Sequence, residues 1–120
     1  MVLKNNLWGI SSTIDLHGCK IELLKDPNVI KKFVKELCAV LKMKRRGPLR
    51  IDRFGHGKLE GWSIMQFIET SSIVIHFDEN DRRVFIDVFS CKKYNPKKIS
   101  VFSKKFFEAK SVKTNVQNRF

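Results

Sequence analysis

Four strand-like stretches follow one another through the middle of this chain, over residues 49–54, 62–68, 73–77 and 83–89, with only short joints between them. No other feature of the sequence restricts the fold as much. Joints of hairpin length connect antiparallel neighbours. The last stretch alternates strictly: Val84, Ile86 and Val88 share one side, while Phe85, Asp87 and Phe89 share the other. That period of two marks a strand with one face in a core and the other turned away from it. The first joint, residues 55–61, holds three glycines, but their spacing is wrong for a phosphate-binding loop and no helix follows. Glu69-Thr70-Ser71-Ser72 forms the second joint, and residues 78–81 make a polar turn.

Two helical patterns flank these strands. Asp26-Pro27 opens the first, with Asp26 as N-cap and Pro27 at the first helical position. Val29, Ile30, Phe33, Val34, Leu37, Cys38 and Leu41 then recur at helical spacing, which makes Cys38 a packing residue. The second helix follows Asn95-Pro96, with Ile99, Phe102, Phe106 and Ala109 as its apolar stripe. Strands over 10–17, with Ile14 and Leu16 on one face, and over 111–116 complete the order β-α-β-β-β-β-α-β. The expected fold is α+β: an antiparallel sheet with two helices packed on one face, a two-layer sandwich in a single domain spanning residues 1–120. The other sheet face must be polar or covered, and a second copy of the chain in a homodimer is the expected cover.

Composition narrows the classes of function. Hydrophobic residues make up 42% of the chain and Phe occurs 10 times, enough for a real core and too many for a disordered tail. Lys and Arg number 24 against 12 Asp and Glu, a net charge of +12, which raises the question of an anionic partner. The cations are nevertheless scattered, from Lys31-Lys32 through Lys42 to Arg46, Lys92-Lys93 and Lys97-Lys98 to Lys104-Lys105. Only Phe102, Phe106 and Phe107 interleave with Lys as a base-stacking surface would, and no RNA-binding or zinc-finger signature is present. A solvated basic surface is therefore favoured over a nucleic-acid partner. Three widely spaced cysteines argue against a disulfide framework, and His17, His56 and His76 do not sit at metal-ligand spacing, so no metal is expected. No leader segment and no membrane-spanning run is legible, and a cytoplasmic setting without a membrane partner is expected.

Three features carry possible chemistry: the hydroxyl cluster Thr70-Ser71-Ser72, His76 on an apolar strand, and Cys91 just past another strand. A hydroxyl, an imidazole and a thiol at the ends of neighbouring strands are the parts of a nucleophile and acid–base site. Each also has an ordinary reading. Turn hydroxyls bond the local backbone, a lone His is satisfied in a core, and a Cys fills space.

Four stretches resemble the short prokaryotic S-adenosylmethionine decarboxylases of the pyruvoyl type. Ile14-Asp15-Leu16-His17-Gly18-Cys19 is similar to the family's opening strand, and Phe54 to Ser63 to its glycine loop ending in Ser. Ser71-Ser72-Ile73-Val74-Ile75-His76 resembles its cleavage-site strand, and Ile86-Asp87-Val88-Phe89-Ser90-Cys91 its Cys-bearing strand. The interval from His76 to Cys91, 91 − 76 = 15 residues, matches without a gap.

The resemblance implies a proenzyme in which the Ser71 hydroxyl attacks the Thr70 carbonyl and the chain cleaves between Thr70 and Ser71. Ser71 would become a covalent pyruvoyl group, which forms a Schiff base with the substrate amine and decarboxylates S-adenosylmethionine for spermidine synthesis. His76 takes the position of the processing base, Cys91 that of the proton donor, Ser63 that of the assisting serine, and Phe54 that of an adenine-stacking ring. The family's Glu before the cleaved Ser is Thr70 here, and its ribose-binding Glu is Asn80, with Glu79 one place earlier. These departures leave two other readings open. Asp78 and Glu79 could face a cationic substrate such as arginine or ornithine, or the chain could be an unprocessed, non-enzymatic relative.

Overall fold

The computed structural model describes residues 6–120, so the first five residues, which bear on the expectation of no leader, lie outside the described residues. Its strands are β1 (Gly9–His17), β2 (Arg50–Phe54), β3 (Gly61–Ile68), β4 (Ser71–Asp78), β5 (Arg83–Ser90) and β6 (Ser111–Arg119). Its helices are α1 (Ile21–Lys25), α2 (Pro27–Leu41) and α3 (Pro96–Phe106). The strands form one sheet in the order β2-β3-β4-β5-β1-β6, antiparallel at every pairing. The expected α+β sandwich is present, with three α-helices instead of two among the described residues. The addition, α1, is five residues long and buries only Leu24, too short to leave a periodic signal.

Caps set the helix starts. The Asp26 carboxylate accepts from Asn28 N–H at the head of α2, and the Asn95 side-chain oxygen accepts from Lys97 N–H and Lys98 N–H at the head of α3. Helix α2 ends at Lys42, whose left-handed backbone (φ 58°) returns its N–H to Ala39 and Cys38 carbonyls.

One sheet face carries the core. Ile14, Leu16, Ile64, Ile73, Ile75, Val84, Ile86 and Val88 are buried there, in one cluster with Ile30, Phe33, Val34 and Leu37 of α2 and Ile99 of α3. Phe33 is the hub of an aromatic group, with ring centroids 4.6 Å from Phe107, 5.0 Å from Phe106 and 5.6 Å from Phe102. The three phenylalanines that interleave with Lys in the sequence are thus committed to core packing and offer no stacking platform for bases. The opposite face carries Ser63, Met65 and Phe67 of β3, Val74 and His76 of β4, Phe85, Asp87 and Phe89 of β5, and Thr13 and Asp15 of β1. Met65 and Phe67 are 45% and 63% exposed there.

Candidate functional site

The sheet register decides what surrounds the Thr70–Ser71 peptide. Ile68 pairs with Ser71, so Glu69 and Thr70 alone form the β3–β4 joint. Ser71 and Ser72 belong to β4 and not to the connection that their residue types predict. So tight a joint forces Thr70 to φ 61°. A β-branched residue resists the left-handed region, at a cost of order 1–3 kcal/mol. The surrounding backbone holds the turn: Glu69 N–H donates to the Lys44 carbonyl at 3.0 Å, and Arg46 N–H to the Phe67 carbonyl at 2.9 Å.

Across the sheet, Ser71 pairs with Ser90. Cys91 N–H reaches the Thr70 carbonyl at a long 3.4 Å, which is the flanking bond of a non-hydrogen-bonded pair. Such pairs bring their side chains close together. The Ser71 hydroxyl donates to Ser90 Oγ and lies 3.5 Å from Met43 Sδ, while Ser90 Oγ accepts from Lys92 N–H at 2.9 Å. Cys91 follows the last residue of β5, so strand parity does not extend to it; the side chain is exposed. It borders a depression of about 410 Å³ with Trp8, Ile10 and Tyr94.

A second cluster lies at the other end of the same strands. Ser63 and His76 are direct cross-strand partners, with Ser63 Oγ 2.9 Å from His76 Nδ1. His76 is exposed on the open face, so it is not the satisfied core histidine of the ordinary reading. The pair lines a cleft of about 620 Å³ together with Phe54, Asn80, Asp81 and Phe85. Phe54 is 57% exposed at the cleft's rim, and Asn80 Nδ2 donates to Asp81 Oδ1 at 3.3 Å. Gly61 also lines the cleft and must be glycine for β3 to approach β4 there, since a Cβ would stand 2.1 Å from the Phe77 carbonyl oxygen.

Glu79 stands outside that lining. Its carboxylate accepts both terminal N–H groups of Arg53, at 2.7 and 2.9 Å, and Arg53 also donates to Glu60 at 2.7 Å. Glu79 and Glu60 hold the Arg53 guanidinium more firmly protonated than usual. Asp78 accepts from Arg83 at 2.6 Å. Both acids considered for a cationic substrate are therefore paired with the protein's own arginines. Also on the open face, partial desolvation raises the Asp87 carboxyl from its ordinary value although the residue is exposed; His76 opposes that shift and Asp15 adds to it.

The two clusters do not meet within one copy. Ser71 and His76 lie five residues apart on one strand, 76 − 71, or about 16 Å at strand rise. The odd interval also turns Ser71 toward the helices and His76 toward the open face. Ser90 joins the Ser71 cluster although no motif singles it out. Its signal was a hydroxyl in line with Val84, Ile86 and Val88, on the buried side of β5. Among the described residues no group of three or more His, Cys, Asp or Glu side chains is placed to hold a metal ion, and no helix is long and apolar enough to cross a membrane.

The family model for S-adenosylmethionine decarboxylase matches residues 11–120. The S-adenosylmethionine decarboxylase proenzyme of Clostridium botulinum strain Hall is 31% identical over 97 residues, 80% of each chain. Its counterpart from strain Langeland is 30% identical over 97 residues, again 80% of each chain. The crystal structure of the adenosylmethionine decarboxylase from Aquifex aeolicus VF5 has the same fold, with a TM-score of 0.78 at 15% identity, covering 94% of this chain and 91% of that one.

Proposed function

The chain belongs to the S-adenosylmethionine decarboxylase family, and on that premise we propose that it is a self-cleaving proenzyme that decarboxylates S-adenosylmethionine with a pyruvoyl group made from Ser71. Its product serves spermidine synthesis, and residues 1–120 work as one cytoplasmic domain. The observation that carries this reading is the Thr70–Ser71 peptide, which has a left-handed Thr70, a carbonyl facing Cys91 N–H and a flanking hydroxyl held by Ser90. These residues suit the making of the group although Thr70 replaces the family's Glu.

In processing, Ser71 Oγ adds to the Thr70 carbonyl carbon. Negative charge then develops on the carbonyl oxygen, where Cys91 N–H is placed to receive it. The Thr70–Ser71 C–N bond breaks, the hydroxyl proton ends on the Ser71 nitrogen, and an ester joins Thr70 to Ser71 Oγ. Loss of the Ser71 α-proton to a base expels the Thr70 carboxylate and splits the chain. Uptake of water and release of ammonia leave the pyruvoyl end. The strain at Thr70 is relieved on cleavage and so favours it.

The pyruvoyl ketone supplies the carbonyl that takes up the substrate amine and draws electrons away as carbon dioxide leaves. The cleft positions the substrate. Phe54 offers a ring face to adenine, and Asn80 meets the ribose hydroxyls through one side-chain oxygen, with Asp81 beside it. Cys91 delivers a proton to the substrate carbon, and the hydrogen-bonded Ser63–His76 pair handles protons at the same centre. A homodimer brings these groups together, with Ser71 and Cys91 from one copy and Ser63, His76, Phe54 and Asn80 from the other. The 16 Å separation and the exposed Met65 and Phe67 support that assembly. A basic amino-acid substrate finds no such support, since Arg83 and Arg53 already engage Asp78 and Glu79.

The test is carbon dioxide release from carboxyl-labelled S-adenosylmethionine. The wild type releases it, Ser71→Ala does not, and Cys91→Ala cleaves itself but turns over at least about a hundredfold more slowly. Co-expressing Ser71→Ala with His76→Ala restores activity through mixed dimers. Release from arginine or ornithine but not S-adenosylmethionine refutes the substrate, and no rescue in the mixture refutes the shared site.

A further inference from the structure

Helix-side positions of β5 read Val84, Ile86, Val88 and Ser90, so a hydroxyl stands where packing alone calls for another aliphatic residue. Ser90 is 1% exposed. A buried hydroxyl is costly unless its hydrogen bonds are satisfied, and those of Ser90 are. Its oxygen accepts from Lys92 N–H at 2.9 Å and from the Ser71 hydroxyl, and its own proton faces Met43 Sδ at 3.7 Å. The non-hydrogen-bonded pairing of Ser71 with Ser90 that brings Cys91 N–H to the Thr70 carbonyl also brings these two hydroxyls into contact.

We propose that Ser90 is a processing residue of the self-cleavage reaction, which aims the Ser71 hydroxyl for its attack on Thr70. This inference rests on the self-cleavage reading above. Among the described residues, Ser90 Oγ is the one oxygen that accepts the Ser71 proton; the other acceptor is the thioether of Met43, a weak one. With its proton turned to Ser90, Ser71 Oγ keeps its lone pairs for the neighbouring carbonyl carbon. Lys92 N–H fixes the Ser90 rotor, so little freedom remains to be lost at the moment of attack. Ser90 is not consumed. The proton ends on the Ser71 nitrogen as the C–N bond breaks, and Ser90 leaves the step as it entered.

The experiment follows freshly translated chain by intact mass and measures the first-order rate of cleavage. Hydroxylamine, which cuts esters, reports how much of the chain has reached the ester. Ser90→Ala and the nearly isosteric Ser90→Cys should each slow cleavage about tenfold or more and lower the hydroxylamine-labile fraction. Ser90→Thr keeps the hydroxyl and should stay within a few-fold of wild type. Val88→Ala, a truncation on the same buried face of β5 that opens a core cavity without touching Ser71, should cleave at the wild-type rate. The inference fails if Ser90→Cys cleaves as fast as wild type, if the ester fraction is unchanged while overall cleavage slows, or if Val88→Ala is equally slow. A wild-type chain that never cleaves overturns the self-cleavage reading itself, a result distinct from each of these.

Discussion

Thr70 bears the strain that the turn imposes. At φ 61° its branched Cβ crowds the backbone, a penalty that glycine does not pay. Thr70→Gly in a Ser71→Ala background, which keeps the chain whole, should stabilise the protein by about 1 kcal/mol in urea unfolding. With Ser71 intact, the same change should slow self-cleavage because less strain is released. A loss of stability would show that the turn is not strained. At this scale residue type alone singles out candidates, the hydroxyl, imidazole and thiol of Ser71, His76 and Cys91, whose roles belong to the proposed reaction. The sequence is not legible where a partner lies far along the chain. Glu79 finds Arg53 across 26 positions, and Ser71 finds Ser90 across 19. Those contacts exist only once the register is set.

The alternation of β5 and the capped starts of α2 and α3 could be read directly, because strand period and cap chemistry are local. The start of β4 could not. Ser71 and Ser72 look like turn residues, and only pairing with Ile68 and Phe67 makes them strand. Helix α1 escaped for want of length. The β3–β4 pair also supplies the cleft through Gly61, which lies against the Phe77 backbone. Gly61→Ala would push β3 away from β4 and pull Ser63 off His76. We expect a loss of about 2 kcal/mol or more in stability and a lower turnover with cleavage retained, as measured by urea unfolding and carbon dioxide release. Unchanged stability would mean that the strands part without cost.

For the whole molecule, the sheet gives one face to the helices and leaves the other, with Met65, Phe67 and His76, uncovered by helices, the face on which the proposed homodimer rests its exposed apolar side chains. The excess of positive charge has a partial spatial account. The backbone of the 42–46 loop bonds to Phe67 and Glu69 beside the Thr70 turn, and Lys92 Nζ donates to the Lys42 carbonyl at 3.0 Å, so the basic segments at 42–46 and 92–93 lie together near that turn. The sequence's even scatter of Lys and Arg gave no sign of that gathering, because folding alone brings residues 42–46 beside 92–93. The proposed chemistry requires that the bond between Thr70 and Ser71 break. Mass spectrometry of the denatured wild-type protein tests it directly. The prediction is two chains, one ending at Thr70 and one beginning at a blocked, ketone-bearing residue 71, with Ser71→Ala remaining whole. A wild-type protein that stays a single 120-residue chain after prolonged incubation would contradict it.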